Sequence, residues 1–314
     1  MQQQIEPNIS QNGENTMAKH INLQWSDEHG NSIHRKVLFV GNKFLDISEK
    51  EYYLGGHYHT GNNGTLFHCS PWGNNQKQLL IKILHKVDQN HRDRFDFEIQ
   101  VLESLSECPN ILEMITFGEI ETTFEESLPF IITEKYEGDL HGEVIQNGKL
   151  SIDKVLKYSV QILNAFEYIH KQNIVHRDIK PTNFLIKNEN IFVADFGLAK
   201  TFFGDGVDRF YRKDITLAGE MVGPIQWMSP ELIEYQFNNK ILIDNRSDIF
   251  QIGLIMWFML TGEIVRGIIE PEDDPTDGRF YEIVAKMIKQ KPERRFQSIG
   301  DVKNALSESY GLTF

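Results

Sequence analysis

The chain has 314 residues, of which 40% are hydrophobic and 25% are charged, so it can bury a core and has room for one large domain or two. This composition excludes collagen-like, disulfide-scaffold and wholly disordered proteins. A net charge of −13 disfavours nucleic acid or an anionic membrane as the main partner. The two cysteines, Cys69 and Cys108, cannot build a disulfide framework and indicate reduced thiols in a cytoplasmic protein.

The first 50 residues carry no targeting or spanning segment. Residues 1–20 are polar and predict a disordered tail, and residues 21–50 predict an N-terminal extension. Within that extension, β-like runs at 21–25 and 36–40 around a polar turn at 28–31 suggest a β-hairpin. The longest apolar run of the chain, residues 249–260, is interrupted by Gln251 and is shorter than the ~20 residues that span a bilayer.

Strand patterns dominate the next part of the chain and helical patterns the rest. Short strands are predicted at 66–69, 78–84 and 130–133, with one helix at 92–105. Further helices are predicted from the N-cap Ser151 to 170, from Ser247 as a candidate cap to 260, and at 280–290 and 299–309. The order predicts an α+β fold in residues 51–314, with a strand-rich lobe at about 51–135 and a helical lobe at about 136–314.

A lysine in an apolar strand gives the first chemical signal. Strand periodicity puts Leu80, Lys82 and Leu84 on one face, where a lone ammonium is costly unless it is paired. Glu98 lies on the apolar face of the following helix, so a Lys82–Glu98 ion pair is one interpretation. The other is that Lys82 extends to the edge and Glu98 is solvated.

The sequence His-Arg-Asp-Ile-Lys-Pro-Thr-Asn at 176–183 places a carboxylate, an ammonium and an amide in one loop. Asp178 could accept a hydroxyl proton, Lys180 could neutralise a migrating phosphoryl group, and Asn183 offers a hard oxygen ligand for Mg²⁺. Asp195, in an Asp-Phe-Gly turn after a β-like run, supplies a second metal carboxylate.

These segments resemble the catalytic loop and the metal-binding DFG motif of the Hanks-type Ser/Thr protein kinase family. Other parts follow in the family's order over roughly residues 50–310, and the compact chain favours a bacterial member. Lys82 resembles the β3 lysine and Glu98 its αC partner. Further matches are the Met-Ser-Pro-Glu motif at 228–231 that closes the activation segment, Asp248 and Gly253 in the central helix, and Arg295, which pairs with the Glu231 position.

The resemblance implies the two-lobe protein-kinase fold, with an antiparallel β-rich N-lobe carrying αC and a mainly helical C-lobe. It implies ATP and Mg²⁺ as cofactors and a protein as partner. Lys180 is typical of Ser/Thr kinases, which transfer the γ-phosphoryl group of ATP to protein hydroxyls. Autophosphorylation is expected as well. The implied site comprises catalytic Asp178 and Lys180, metal-binding Asn183 and Asp195, and nucleotide-binding Lys82, Glu98, Gly61, Gly64, Leu66, Glu134, Tyr136 and Asp139.

Three departures from the family pattern keep two alternatives open. His59 stands at the first glycine position of the loop, Pro224 follows Gly223 where a threonine is usual, and the αG region between residues 262 and 295 is short. The first two, together with the unusually long segment from 195 to 231, favour a pseudokinase acting as a nucleotide-gated binding module, although the catalytic side chains are retained. The third favours phosphorylation of a non-protein hydroxyl.

The long segment from 195 to 231 raises the question of control. Arg177 marks the class of kinases in which a phosphate on this segment pairs with the guanidinium. Thr201, Tyr211 and Thr216 are candidate acceptors, with Thr216 ranked first. The alternative is that the segment is held by its own apolar residues and Arg177 pairs with an acidic side chain, so that no phosphate is needed.

Overall fold

A computed structural model describes residues 19–26, 31–61, 63–74, 76–123, 127–201, 224–238 and 240–314. The predicted tail, apart from Lys19 and His20, the candidate acceptors Tyr211 and Thr216, and Gly223 lie outside the described residues. The chain forms two compact units: Met1–Asp88 with Thr116–Ile131, and Gln89–Ile115 with Ile132–Phe314. The first is built on antiparallel strands and the second is mainly helical, so the predicted α+β fold is confirmed.

The strands are β1 His20–Ser26, β2 Ser32–Leu38, β3 Lys43–Leu45, β4 Glu51–Thr60, β5 Gly64–Pro71, β6 Leu79–Leu84, β7 Met114–Ile120, β8 Leu128–Glu134, β9 Gly138–Asp139, β10 Ile174–Val175, β11 Phe184–Lys187, β12 Asn190–Val193 and β13 Lys200–Thr201. The α-helices are α1 Gln89–Ser104, α2 Leu140–Asn147, α3 Ile152–Lys171, α4 Pro230–Phe237, α5 Asn245–Thr261, α6 Arg279–Met287 and α7 Ile299–Tyr310. The main sheet has the order β3-β4-β5-β6-β8-β7.

The segment before residue 51 is part of the first unit's core. β1 and β2 pair antiparallel, and Ile21, Leu23 and Val37 on the hairpin are buried. The Gln24 amide donates to the His85 carbonyl at 2.8 Å, just after β6. β3 pairs with β4 inside the main sheet, so the boundary predicted at residue 50 divides a continuous sheet.

The central helix of the second unit, α5, is buried along almost its whole length and ends at Gly262, whose φ of 79° suits a glycine. The predicted N-cap, Ser247, is wrong. Asp244 caps the helix by accepting from the Arg246 amide, whereas the buried Ser247 hydroxyl pairs with that of Ser229 at 2.7 Å. Periodicity located the apolar stretch, but the polar first turn of the helix carries no apolar signal.

The region from residue 262 to 295, in which a reduced αG was predicted, contains α6 and the connection to it from α5. Within residues 262–278, all of which the structure describes, the chain forms one 3₁₀ turn, Pro271–Asp273, and no α-helix. Among the described residues, none of the helices combines the length and the apolar character needed to cross a membrane.

Candidate active site

The catalytic loop is tied to the central helix by one buried carboxylate. Asp248, in the first turn of α5 and fully buried, accepts hydrogen bonds from the backbone amides of His176 at 2.9 Å and Arg177 at 3.0 Å. The same carboxylate lies 2.9 Å from Nε2 of His170 in α3. Arg177 has a φ of 70°, which is unusual for a side chain of this size, so the two amide bonds hold the loop in a strained conformation.

The three polar side chains predicted to act in this loop form one network. The Lys180 ammonium donates to Oδ2 of Asp178 at 2.6 Å. The Asn183 amide nitrogen donates to the Asp178 backbone carbonyl at 2.9 Å and to Oδ2 at 3.2 Å. Asp178 is nearly buried, with 9% of its surface exposed, so its carboxylate is oriented by two charged or polar donors before any substrate arrives.

The second motif lies beside the first because β11 and β12 pair antiparallel. The Ala194 amide donates to the Asn183 carbonyl at 2.9 Å. This bond brings the backbone of Asp195, the next residue, close to that of Asn183. Nε2 of His176 is 3.2 Å from the Ala194 carbonyl oxygen, and the His176 ring centroid is 4.8 Å from that of Phe196. His176 therefore acts as a packing link between the catalytic loop and the Asp-Phe-Gly turn.

Two carboxylates approach the glycine of that turn. A Cβ added at Gly197 would lie 3.6 Å from Oδ1 of Asp195 and 3.7 Å from Oε2 of Glu98. Glu98 is 4% exposed, which confirms its predicted place on the apolar face of α1 and excludes a solvated Glu98. Lys82 belongs to the other unit, so the Lys82–Glu98 ion pair stays a prediction.

The residues predicted around the adenine and ribose have structural partners of their own. Glu134 forms an ion pair with Lys187 of β11. Tyr136 is buried beside Phe192, with ring centroids 5.2 Å apart, and burial raises the pKa of its hydroxyl to about 12. Asp139 caps α2 by accepting from the Gly142 amide at 2.8 Å. Their nucleotide-binding roles stay predictions.

The glycine loop and the lysine strand adjoin within the first unit. The Gly61 amide donates to the Gly64 carbonyl at 2.9 Å, which closes the turn between β4 and β5. A Cβ added at Gly64 would lie 3.1 Å from the Ile83 carbonyl oxygen and 3.3 Å from Cγ of Lys82. Leu66 stands opposite Lys82 in the β5–β6 register, and Lys82 is half-buried. The structure thus brings four predicted nucleotide-binding residues together on β5, on β6 and in the turn that leads into β5.

The structure describes two of the departures from the family pattern, His59 and Pro224. His59 is exposed and pairs with Leu66 inside the β4–β5 ladder, beyond a bulge in that ladder. Pro224 precedes a 3₁₀ turn, Ile225–Trp227, and its carbonyl accepts from the Trp227 amide at 3.1 Å.

Besides Asp248, two further buried polar groups brace the second unit, and the sequence indicated one of them. The predicted pair is present: the Arg295 guanidinium donates to both Glu231 carboxylate oxygens, at 2.6 and 2.8 Å, and both residues are buried. Sequence reasoning missed Gln251, whose amide donates to the carbonyls of Trp227 at 2.9 Å and Ile179 at 3.4 Å. The signal for it was an amide interrupting an otherwise apolar helix, because a buried amide requires partners.

Comparison with known proteins agrees with this geometry. A family model described as "Protein kinase domain" matches residues 59–310. A probable serine/threonine-protein kinase of Clostridium acetobutylicum is 28% identical over 252 residues, covering 74% of this chain and 36% of that protein.

Two further relatives come from a bacterium and a plant. Serine/threonine-protein kinase PrkC of Bacillus subtilis is 33% identical over 193 residues, covering 60% of this chain and 27% of that protein. Calcium-dependent protein kinase 21 of Arabidopsis thaliana is 27% identical over 306 residues, covering 89% of this chain and 53% of that protein. The chain thus spans only part of each of these three relatives, from 27% to 53% of their length. Because the family model covers most of the sequence, including the catalytic loop and the Asp-Phe-Gly turn, the chain belongs to the protein kinase domain family.

Proposed function

We propose that the chain is an ATP-dependent Ser/Thr protein kinase. The observation that carries this proposal is the network in which Lys180 and Asn183 both donate to Asp178. In the proposed reaction Asp178 orients the substrate hydroxyl and accepts its proton, while Lys180 neutralises charge on the migrating phosphoryl group. Lys180 also supports a Ser/Thr acceptor rather than Tyr, and the names of the relatives support the same class.

The metal in this proposal is Mg²⁺, held by Asn183 and Asp195. The Asn183 amide nitrogen is turned towards Asp178, which directs its carbonyl oxygen away from that carboxylate. Asp195 adds the charged oxygen ligand two positions after Val193, the β12 partner of Phe184. Two protein oxygens fit Mg²⁺, which usually takes its remaining ligands from phosphates and water. When bound, the ion neutralises phosphate charge.

A dedicated protein cage for a metal is absent from the described part of the chain, where no three His, Cys, Asp or Glu side chains cluster suitably. This agrees with a metal that arrives with its nucleotide. The roles of Lys82 and Glu98 at the phosphates, of Gly61, Gly64 and Leu66 around them, and of Glu134, Tyr136 and Asp139 at the adenosine rest on the motif resemblance.

The net charge and the two cysteines bear on the partner and the location of the protein. The acidic net charge supports a protein partner rather than nucleic acid or an anionic membrane. Cys69 and Cys108 are both buried free thiols, which supports a reducing, cytoplasmic location. The intact catalytic network argues against a pseudokinase.

A transfer assay with γ-labelled ATP tests the proposal. The purified chain is incubated with and without Mg²⁺, alone and with a basic model protein, and labelled residues are identified after acid hydrolysis. We expect Mg²⁺-dependent label on Ser or Thr. ATP binding without any transfer would contradict the proposal and support the pseudokinase, and label on a small molecule alone would support the non-protein alternative.

A further inference from the structure

Tyr235, in α4, is a buried aromatic ring on which two basic side chains converge. The residue is 5% exposed and belongs to an apolar cluster with Val175, Met228, Leu232 and Ile243. The position was not singled out by the sequence, because a tyrosine in an amphipathic helix reads as ordinary packing.

Both cations belong to segments that flank the proposed catalytic centre. The guanidinium carbon of Arg177, next to Asp178 in the catalytic loop, is 4.9 Å from the Tyr235 ring centroid. The ammonium of Lys200 is 5.5 Å from the same centroid and donates to the Tyr235 hydroxyl at 3.3 Å. Lys200 begins β13, which pairs with β10 just before the catalytic loop.

The electrostatics favour this arrangement. The face of an aromatic ring carries negative charge density and attracts cations, most strongly where water is excluded. Two like charges near one another repel, so a shared electron-rich partner lowers the cost of placing Arg177 and Lys200 together. The contact also ties three segments together: the catalytic loop, β13 and α4.

We propose that Tyr235 is a positioning residue that holds Arg177 and Lys200 through its ring and hydroxyl, so that the catalytic loop is ordered without a phosphate on the segment between residues 201 and 224. The inference rests on the proposed kinase function. It differs from the phosphate-independent alternative raised by the sequence, because the partner of Arg177 is an aromatic ring and not an acidic side chain. Tyr235 acts through Arg177 and touches neither ATP nor the acceptor in this account.

The first test is a double-mutant cycle on stability, which does not depend on catalysis. Tyr235→Leu keeps apolar bulk and removes the π face, and Arg177→Met keeps an apolar stem and removes the charge. We expect the two changes to be coupled by about five- to thirtyfold in the unfolding equilibrium constant. Leu232→Ala, which thins the same cluster, combined with Arg177→Met is the control and should show additive effects. Additive effects for Tyr235 and Arg177 would overturn the proposal.

The second test uses phosphatase-treated protein, with its phosphate content checked by intact mass. We expect unphosphorylated wild type to retain transfer, Tyr235→Phe to stay within about threefold, and Tyr235→Leu to lose about tenfold in kcat with little change in KM for ATP. Wild type that is inactive until phosphorylated would overturn the proposal. If wild type transfers phosphate in neither state, the proposed function fails, and the stability cycle alone then decides whether Tyr235 holds Arg177.

Discussion

The catalytic loop and the glycine loop differ in the groups that hold them. Around the catalytic loop, buried side chains from α5 reach inward: Asp248 binds two loop amides and Gln251 binds the Ile179 carbonyl. The turn of the glycine loop is closed by a backbone bond from the Gly61 amide to the Gly64 carbonyl, and Gly61 itself is exposed. Changes to the buried groups beneath the catalytic loop should therefore destabilise the fold, whereas changes around the glycine loop should reduce activity and leave the fold in place.

The largest expected effect is at the buried ion pair between Arg295 and Glu231. Arg295→Ala leaves the Glu231 carboxylate buried without the guanidinium that binds both its oxygens. We expect the free energy of unfolding to fall by about 3–5 kcal/mol, measured by urea denaturation. Arg294→Ala, at the exposed neighbouring position, is the matched control and should change little. Equal small losses for both variants would show that the anchor does not stabilise this part of the fold.

The lysine strand should respond in the opposite way. Lys82→Met keeps the apolar stem of a half-buried side chain and removes the ammonium proposed to bind phosphates. We expect transfer to fall by at least about a hundredfold, with an unchanged circular dichroism spectrum. Lys77→Met, on the exposed approach to β6, serves as control. Near-normal transfer by folded Lys82→Met would remove this residue from the site.

The glycine loop offers a smaller and more local test. In Gly64→Ala the new methyl group would press on the Ile83 carbonyl at 3.1 Å and on the Lys82 stem. We expect KM for ATP to rise by about three- to tenfold, because the strand carrying Lys82 must shift by a few tenths of an ångström. Gly56→Ala, where an added Cβ meets nothing within 4 Å, should leave KM unchanged. Equal effects at both glycines would contradict the assignment of the loop.

The smallest effect is expected at an ion pair between α3 and α7. The hydrogen-bonded Lys303 ammonium lowers the pKa of the Glu167 carboxyl below its usual value. Because the folded-state pKa is the lower one, the pair stabilises the protein above the unfolded-state pKa of about 4.3, and this is lost as the pH falls through the folded-state pKa. Lys303→Met should therefore cost about 0.3–0.5 kcal/mol at neutral pH and nothing in acid. A pH-independent loss would indicate that packing, not charge, is responsible.

Features that depend on neighbouring residues could be predicted from the sequence, whereas features that depend on residues distant in sequence could not. The β6 strand, the α1 helix and the apolar side of Glu98 follow from local periodicity, and the catalytic loop follows from eight consecutive residues. Asp244 as the true cap of α5 and the burial of the hairpin carrying Leu23 could not be derived, because both depend on partners distant in sequence. The convergence of Arg177 and Lys200 on Tyr235 is a tertiary fact of the same kind.

The central claim is that Asp178, oriented by Lys180 and Asn183, accepts the proton of the acceptor hydroxyl. Its most direct test measures phosphoryl transfer and ATP affinity side by side in wild type and Asp178→Asn, a variant of nearly equal shape that cannot accept the proton. The account predicts that kcat falls by about 10²–10⁴-fold while ATP affinity stays within about twofold. A folded Asp178→Asn protein that transfers phosphate at a rate close to wild type would contradict it.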